Sequence, residues 1–486
     1  MRRTFRRVWL AIVALALVGV LVVGGLVLQS PALRQETIAR LGRVFTGEAA
    51  LADGRTPGEL IRYAERRLIG HPKLETLFLP LLHLVQRQIE RPVPGNLVYL
   101  GKGQSAALLQ LPIIPNLRVA SVDELSAAFK AARPGQIIEI MPGQYRLKQR
   151  LQTQLAGSTH SPITLRAAEP GKVVIETGGE VAIKILHAHW IFENLVIRGN
   201  CSRDDDCEHA FQVAGGAQHT VIRNNRLEEF NAHVKINGEN GAWPDHGQLT
   251  GNTISNSRPR QTIRSVTPVD LVGAAYWLVA DNVIGNFVKA DGNRVAYGIF
   301  MKGGSHHGRI ERNLVICTTD GISQPGVRVG ISLGGGGTGK AYCRSRECTY
   351  EHQHGVIANN VVAHCNDFGV DINRGAESLI AHNTLINTSG IDVREPASSA
   401  RIHGNLLEGR IRARNTQRLE SSDNEIGSLA EVLEKPDHLS LNWRHHRDPV
   451  PNALEIASDF CGRPRGAVTF AGASDSQGAC SQARDQ

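Results

Sequence analysis

Hydrophobic and polar positions along the chain change rhythm three times. Val8 to Leu28 is an apolar run without charge, about as long as the ~20 residues a bilayer-spanning helix needs, and MRRTFRR ahead of it supplies four arginines. The pattern predicts a transmembrane anchor over residues 1–30 with its cationic flank in the cytoplasm. The expectation is a single-pass inner-membrane protein whose remaining chain lies in the periplasm or elsewhere outside the cytoplasm. VLQSPA is a poor cleavage site, which favours a retained anchor over a removed signal. From 31 to 117 the period becomes helical: TPGELIRYAERRLIG puts Thr and Pro at cap and first-turn positions, and PKLETLFLPLLHLVQRQIE has a broad apolar face before RPVPG ends it. A helical stalk or cap and a linker are expected there. From 118 to 445 a capped amphipathic helix is followed by short alternating strands broken by Pro-Gly and Asn turns, and 446–486 reads as a C-terminal cap or tail.

Within the third regime one unit recurs: WIFENLVI, VIRNNRLEEF, QLTGNTIS, WLVADNVI, RIERNLVI, VIANNVVA, LIAHNTLI, RIHGNLLE and LESSDNEI. Their asparagines fall at 194, 225, 252, 282, 313, 360, 383, 405 and 424. The later spacings approach the roughly twenty-odd residues of one solenoid coil, and the larger gaps absorb insertions. Asparagines stacked at one turn of successive coils hydrogen-bond each other and the turn backbone, so these are structural. The prediction is an all-β chain wound as a parallel β-helix.

A second strand aligns in each coil: VKIN at 234, VDLV at 269, IFMK at 299, ISLG at 331, VDIN at 370, IDVR at 391 and IRAR at 411. Alternation turns the first and third residues inward and the others outward. One outward column then holds Lys235, Asp270, Phe300, Ser332, Asp371, Asp392 and Arg412; the other holds Asn237, Val272, Lys302, Gly334, Asn373, Arg394 and Arg414. With coils about 4.8 Å apart, such columns suit a charged sugar chain. GISLGGGGTGKAYCRSRECTYEHQHG, residues 330–355, interrupts the series with four glycines. They read as a low saddle where a ligand approaches the backbone, with the following loop and its His352 and His354 as a wall, or else as a sharp corner into an insertion. The binding set on the saddle reading is Asn237, Ser332, Gly334, Gly335, Asp371, Asn373, Arg374, Arg394, His352 and His354.

Composition narrows the chemistry. Aromatic residues make up 5% against 41% hydrophobic residues, so the core is aliphatic. Eight cysteines, Cys201, Cys207, Cys317, Cys343, Cys348, Cys365, Cys461 and Cys480, are disulfide candidates, because CSRDDDC and CRSREC lack the short spacing of a zinc site. Eight allow about 105 pairings, and the connectivity stays open. The net charge of +8 favours an acidic partner, though part of it belongs to the N-terminal arginines. Nothing interleaves basic and aromatic residues as a nucleic-acid platform would. The metal requirement is unassigned: the carboxylates of SRDDDC suit calcium or a solvated disulfide loop. His306 and His307 of SHHG, as neighbours on a strand, would face opposite ways and not share a metal. Trp243, Asp245 and His246 in AWPDHGQ form either a sugar-stacking, proton-transfer cluster or a packed turn.

SVDELSAAFKAARPGQIIEIMPGQYRL, SPITLRAAEPGKVVIET and HWIFENLVIRGN together make residues 118–200 similar to the chondroitinase B and alginate lyase family of polysaccharide lyases, within the pectate-lyase-like group. The resemblance implies a right-handed parallel β-helix with a helical N-terminal cap. It also implies β-elimination on an acidic polysaccharide, with a lysine base and a stabilising arginine on a following coil. AHVKINGE and GIFMKGGSHHG carry these catalytic roles to Lys235 and Lys302, with lysine in place of the arginine, Gly303 in place of a histidine, and the 269–272 strand between them. The alternatives are a non-catalytic polysaccharide-binding or scaffold protein of the cell envelope, a uronate epimerase, and a glycoside hydrolase using Asp371 and Asp392.

Overall fold

The computed structural model describes residues 72–89, 91–104, 115–321, 326–335, 338–416, 418–452 and 456–475, with single positions 65, 68 and 480. The chain divides into two compact units, Met1–Ala64 and Glu65–Gln486, and the described residues belong to the second.

That unit is a parallel β-helix. Short strands stack in register into a first sheet of twelve strands, a second of eleven and a third of ten, each coil passing from first to second to third. Trp190–Glu193, Val196–Gly199 and His209–Ala214 are one such passage. The interior is aliphatic, as the composition requires: Ile197, Ile222, Leu249, Ile284, Ile310 and Leu385 are fully buried. A ring cluster fills the N-terminal end, where Phe129 of helix α2 (Val122–Ala131) lies 4.9 Å from Trp190 between centroids. Ser121 caps α2 by accepting from the Glu124 amide, and the Glu124 carboxylate accepts from the Ala120 amide, so the helix closes the open end of the core with its terminus satisfied.

The corner between first and second sheets is built from one left-handed residue followed by asparagine. Asn224, Asp281, Arg312, Asn359 and His382 have φ of 53°, 59°, 54°, 54° and 53°, and the asparagine after each turns inward. Asn252 Oδ1 accepts from the Asn225 amide at 2.9 Å and from its Nδ2 at 3.1 Å, Asn282 does the same for Asn252 at 2.8 and 3.0 Å, and the ladder runs on to Asn424. Asn194 stands one position out of it. Leu195 holds the ladder position of that coil, its amide donating to Asn225 Oδ1, and Asn194 at φ 65° accepts instead from Asn224 Nδ2.

The cysteines pair as Cys201–Cys207, Cys317–Cys365, Cys343–Cys348 and Cys461–Cys480. Cys317–Cys365 joins successive coils inside the core, and the first and third staple short loops. The outer face of the second sheet is covered. Leu100, and Leu429, Leu439 and Phe460 of the C-terminal segment, pack with its Val283, Leu314, Val361 and Leu406.

The expected transmembrane segment lies outside the described residues. Among the described residues no helix is long and apolar enough to cross a membrane; α1 (Pro72–Ile89) carries Glu75 and Arg87 in its end turns. The reading of the chain as a single-pass inner-membrane protein is corrected on that finding.

Candidate active site

On the third sheet the outward columns are in the register that alternation predicts. Lys235 pairs with Asp270, Asp270 with Phe300, Phe300 with Ser332, Ser332 with Asp371 and Asp371 with Asp392, while Val272 pairs with Lys302 and Asn373 with Arg394. The intervening residues Ile236, Leu271, Met301, Leu333 and Ile372 are buried in the core.

Two lysines converge on one carboxylate. Lys235 Nζ donates to Asp270 Oδ2 at 2.5 Å, and Lys302, two coils from Lys235, brings its Nζ to 3.6 Å from Asp270 Oδ1. Both lysines remain about a quarter exposed, whereas the Asp270 side chain is 6% exposed. Burial would raise the Asp270 carboxyl, but the two neighbouring cations outweigh it and hold it down at about 2. His209, one coil before Lys235, is pushed down to about 4 by burial, with Nδ1 2.7 Å from the Ala232 carbonyl oxygen. Two lysines against one carboxylate leave an excess of one positive charge, which suits an anionic ligand.

Lys302 Nζ also lies 4.0 Å from the Phe300 ring centroid, and Phe300 stacks on Tyr297 at 4.2 Å. Burial, then the charge of Asp371, pushes the Tyr297 hydroxyl up to about 12. Arg394 forks Asp371 with bonds of 2.9 and 2.8 Å, and Ser332 Oγ donates to the Gly334 carbonyl oxygen at 2.9 Å. Asp392 is held by Arg412 and Arg414. Both carboxylates of the hydrolase alternative are therefore engaged by arginines. Asn237 is half-buried and donates to the Gly238 carbonyl oxygen; Arg374 is exposed at φ 57°.

At Gly334 and Gly335 the saddle is closed, and that reading is corrected there; Gly336 and Gly337 lie outside the described residues. Gly334 and Gly335 are both buried. A Cβ on Gly334 would stand 2.2 Å from the Asn373 carbonyl oxygen, and one on Gly335 2.2 Å from the Phe300 ring. Gly334, at φ 77°, turns the chain out of the sheet, so at this position the corner reading holds. His352 is corrected too. It is fully buried, 2.6 Å from Ser305 Oγ, and burial pushes it down to about 3; His354 is exposed at the next corner, paired with Glu377 at 2.8 Å.

The insertion is strapped down by groups that carry no periodic signal in the sequence. Glu351 accepts from the Gly303 amide at 2.7 Å, directly after Lys302, and from Thr338 Oγ1 at 2.8 Å. Arg344, inside the Cys343–Cys348 loop, forks Asp245 at 2.8 and 2.9 Å and lies over Trp243. Asp245 is thereby a strap anchor, and Trp243 packs on Gly238 and Gly273, where a Cβ would meet its ring.

The acidic loop does not fit calcium. Asp204 is forked by Arg258 at 2.8 Å on each oxygen and accepts from the Gln261 amide, Asp205 accepts from Thr262, and Asp206 is paired with Arg203. Among the described residues no group of three or more His, Cys, Asp or Glu is placed to hold a metal.

The Chondroitinase B family matches residues 119–264, which include Lys235 but end short of Asp270 and Lys302. The chain resembles that family. Among solved structures, pectate lyase Pel9A superposes with a TM-score of 0.53 at 13% identity, over 75% of this chain and 97% of that one. A PL6 family polysaccharide lyase from Pseudopedobacter saltans gives 0.33 at 14% identity over 69% and 97%, and an alginate lyase from a Paenibacillus species 0.36 at 11% over 64% and 99%. At 13% identity the likeness to the pectate lyase is one of fold, the parallel β-helix. No curated protein matches the chain.

Proposed function

We propose that the chain is a polysaccharide lyase that cleaves a uronate-containing chain by β-elimination at Lys235 and Lys302. The observation that carries the reading is the pair of part-exposed lysines sharing the buried Asp270 on the outer face of a chondroitinase-B-like β-helix. A uronate carboxylate replaces Asp270 most easily at Lys302, where the contact is the looser one, and its neutralisation stabilises the carbanion formed when the adjacent proton leaves. Lys235, on the same face, acts as the base in its neutral form, its own proton having gone to solvent: the amine takes the proton adjacent to the carboxylate, the carbon–carbon double bond forms as the bond from the β carbon to the glycosidic oxygen breaks, and the resulting ammonium returns the proton to that leaving oxygen. Phe300 and Tyr297 back Lys302 with an apolar platform. Glu351, through the Gly303 amide, fixes the backbone next to it.

The 2.5 Å contact to Asp270 favours a second reading, a binding protein, because an ammonium so paired has no lone pair to accept a proton. Full-length protein incubated with a panel of acidic polysaccharides distinguishes the two by the ultraviolet absorbance of unsaturated uronate. Lyase action yields that product with at least one polymer, and Lys235→Ala lowers turnover by about 100-fold or more while weakening binding far less. Binding without product in the unmutated chain selects the second reading.

A further inference from the structure

The corner between third and first sheets carries a column that neither catalysis nor folding accounts for. His189, His219, His246, Tyr276, His307 and His354 occupy it, one per coil, each in the left-handed region with φ of 58°, 57°, 62°, 57°, 53° and 53°. Successive ring centroids are 4.6, 5.1, 4.7, 4.9 and 4.7 Å apart, and the first three pairs are within 11° of parallel, the last two tilted by 27° and 35°. His189 is half-buried and the other five are exposed. Stacking covers the ring faces, so the polar edges meet solvent.

We propose that this column is a polyanion-binding surface on which an acidic polysaccharide lies along the solenoid axis, its carboxylates held by imidazolium edges in mildly acid solution. The backbone does not dictate these residues: the same left-handed demand at the asparagine corner is met by Asn224, Gly251, Asp281, Arg312 and Asn359, and by a histidine only at His382. Parallel stacked rings also disfavour a bridging metal, because their lone pairs run side by side instead of converging. The column's pitch follows the coil spacing of about 4.8 Å, comparable with one sugar residue of an extended pyranose chain. Choosing a polysaccharide as occupant rests on the proposed lyase activity.

The charged groups facing the column are few. Glu377 pairs with His354 at one end; Asp245, already forked by Arg344, lies near His306, whose Nδ1 is 3.0 Å from His307 Nδ1. That contact corrects the expectation that His306 and His307 face apart, since the left-handed turn at His307 breaks strand alternation. Among the described residues His189, His219, His246 and His307 have no carboxylate partner within ion-pair distance. Burial and then the neighbouring imidazoles push His219 and His307 down from the ordinary value. Two positive charges about 5 Å apart in water repel by about 1 kcal/mol, and a row of carboxylates laid along the column removes that penalty. Binding must then take up protons.

The test uses full-length protein carrying Lys235→Ala, which slows turnover, titrated with galacturonate oligomers near pH 8 and near pH 5.5 in two buffers of different protonation enthalpy. Affinity at the lower pH should be about 10-fold tighter with net proton uptake. His219→Gln, His246→Gln and His307→Gln together should abolish that gain, with a thermal melt near pH 8 showing the fold intact. His219→Gln alone should reduce it where the triple variant is unstable. Equal affinity at both pH values, or an undiminished gain in the variants, overturns the proposal; tighter acid binding of polyphosphate than of polyuronate overturns the choice of polymer. Failure of the lyase reading appears separately, as absence of unsaturated product from the unmutated chain.

Discussion

Two columns of polar side chains climb this solenoid at the same pitch, and they behave oppositely. The asparagines from 225 to 424 are alike, buried but for the last, and each completes the hydrogen bonds of the one before. The outer face of the third sheet mixes Lys235, Asp270, Phe300, Ser332 and Asp371, and its charges are balanced only locally, with a cationic excess around Asp270. Repetition of one self-complementary residue satisfies a corner that is never wet. A column of unlike residues leaves some of its charge to an outside partner.

Acid should separate buried from exposed polar groups most strongly. His209 and His364 are pushed down to about 4, and His233, His352 and His382 to about 3, in each case first by burial. Below the ordinary value of 6.5 the unfolded chain binds protons that the folded chain refuses. Stability is therefore lost as pH falls from about 6.5 towards 4 and 3, by up to about 1.4 kcal/mol per histidine per pH unit. Asp270 works in a different window: its folded value lies below the unfolded one, so its contribution is present above the ordinary value of 3.8 and lost as pH falls through about 2. Denaturant midpoints measured against pH should fall steeply below about 6; a flat profile to pH 4 would mean these histidines are protonated in the fold.

Asn313→Ala comes next. It removes the acceptor of the Asn282 amide and Nδ2 and the donor to the Val279 carbonyl oxygen, all buried, and should cost about 4 kcal/mol by chemical denaturation. Asp270→Ala leaves Lys235 and Lys302 facing each other without their shared anion and should cost about 2 kcal/mol. It should also steepen the salt dependence of binding to an acidic oligosaccharide, since it raises the local charge. Asn237→Ala, on the same face but half-exposed, should change stability by less than about 0.5 kcal/mol. If Asn237→Ala costs as much as Asn313→Ala, the two columns do not differ in the way described.

Much of this was legible in the residues. VKIN, VDLV, IFMK and VDIN set the register of the third sheet because alternation is a local property, and it alone puts Lys235, Asp270 and Lys302 on one face. The repeat and the ladder part only at Asn194, where the asparagine comes one place early. The errors at the candidate site share one cause. His352 and His354 are two residues apart, yet one is sealed in the core and the other is in solvent, because the chain is back in the coil by His352, which pairs with Ser305, and turns left-handed at His354. The space above Gly335 is filled by Phe300 from the preceding coil, and Glu351 reaches Gly303 across 48 positions.

Repeat length, alternation and turn chemistry act between near neighbours, so they specified a parallel β-helix, its inward and outward faces and its asparagine corner from the order of residues alone. Whether a glycine opens a groove or closes one, which histidines are neutral in the interior, and which lysines share a carboxylate depend on atoms that folding brings in from other coils. Burial and Coulomb interaction act through space and take no account of distance along the chain. For that reason the stacked rings of the third corner, scattered from His189 to His354, became a single surface only when the coils were wound.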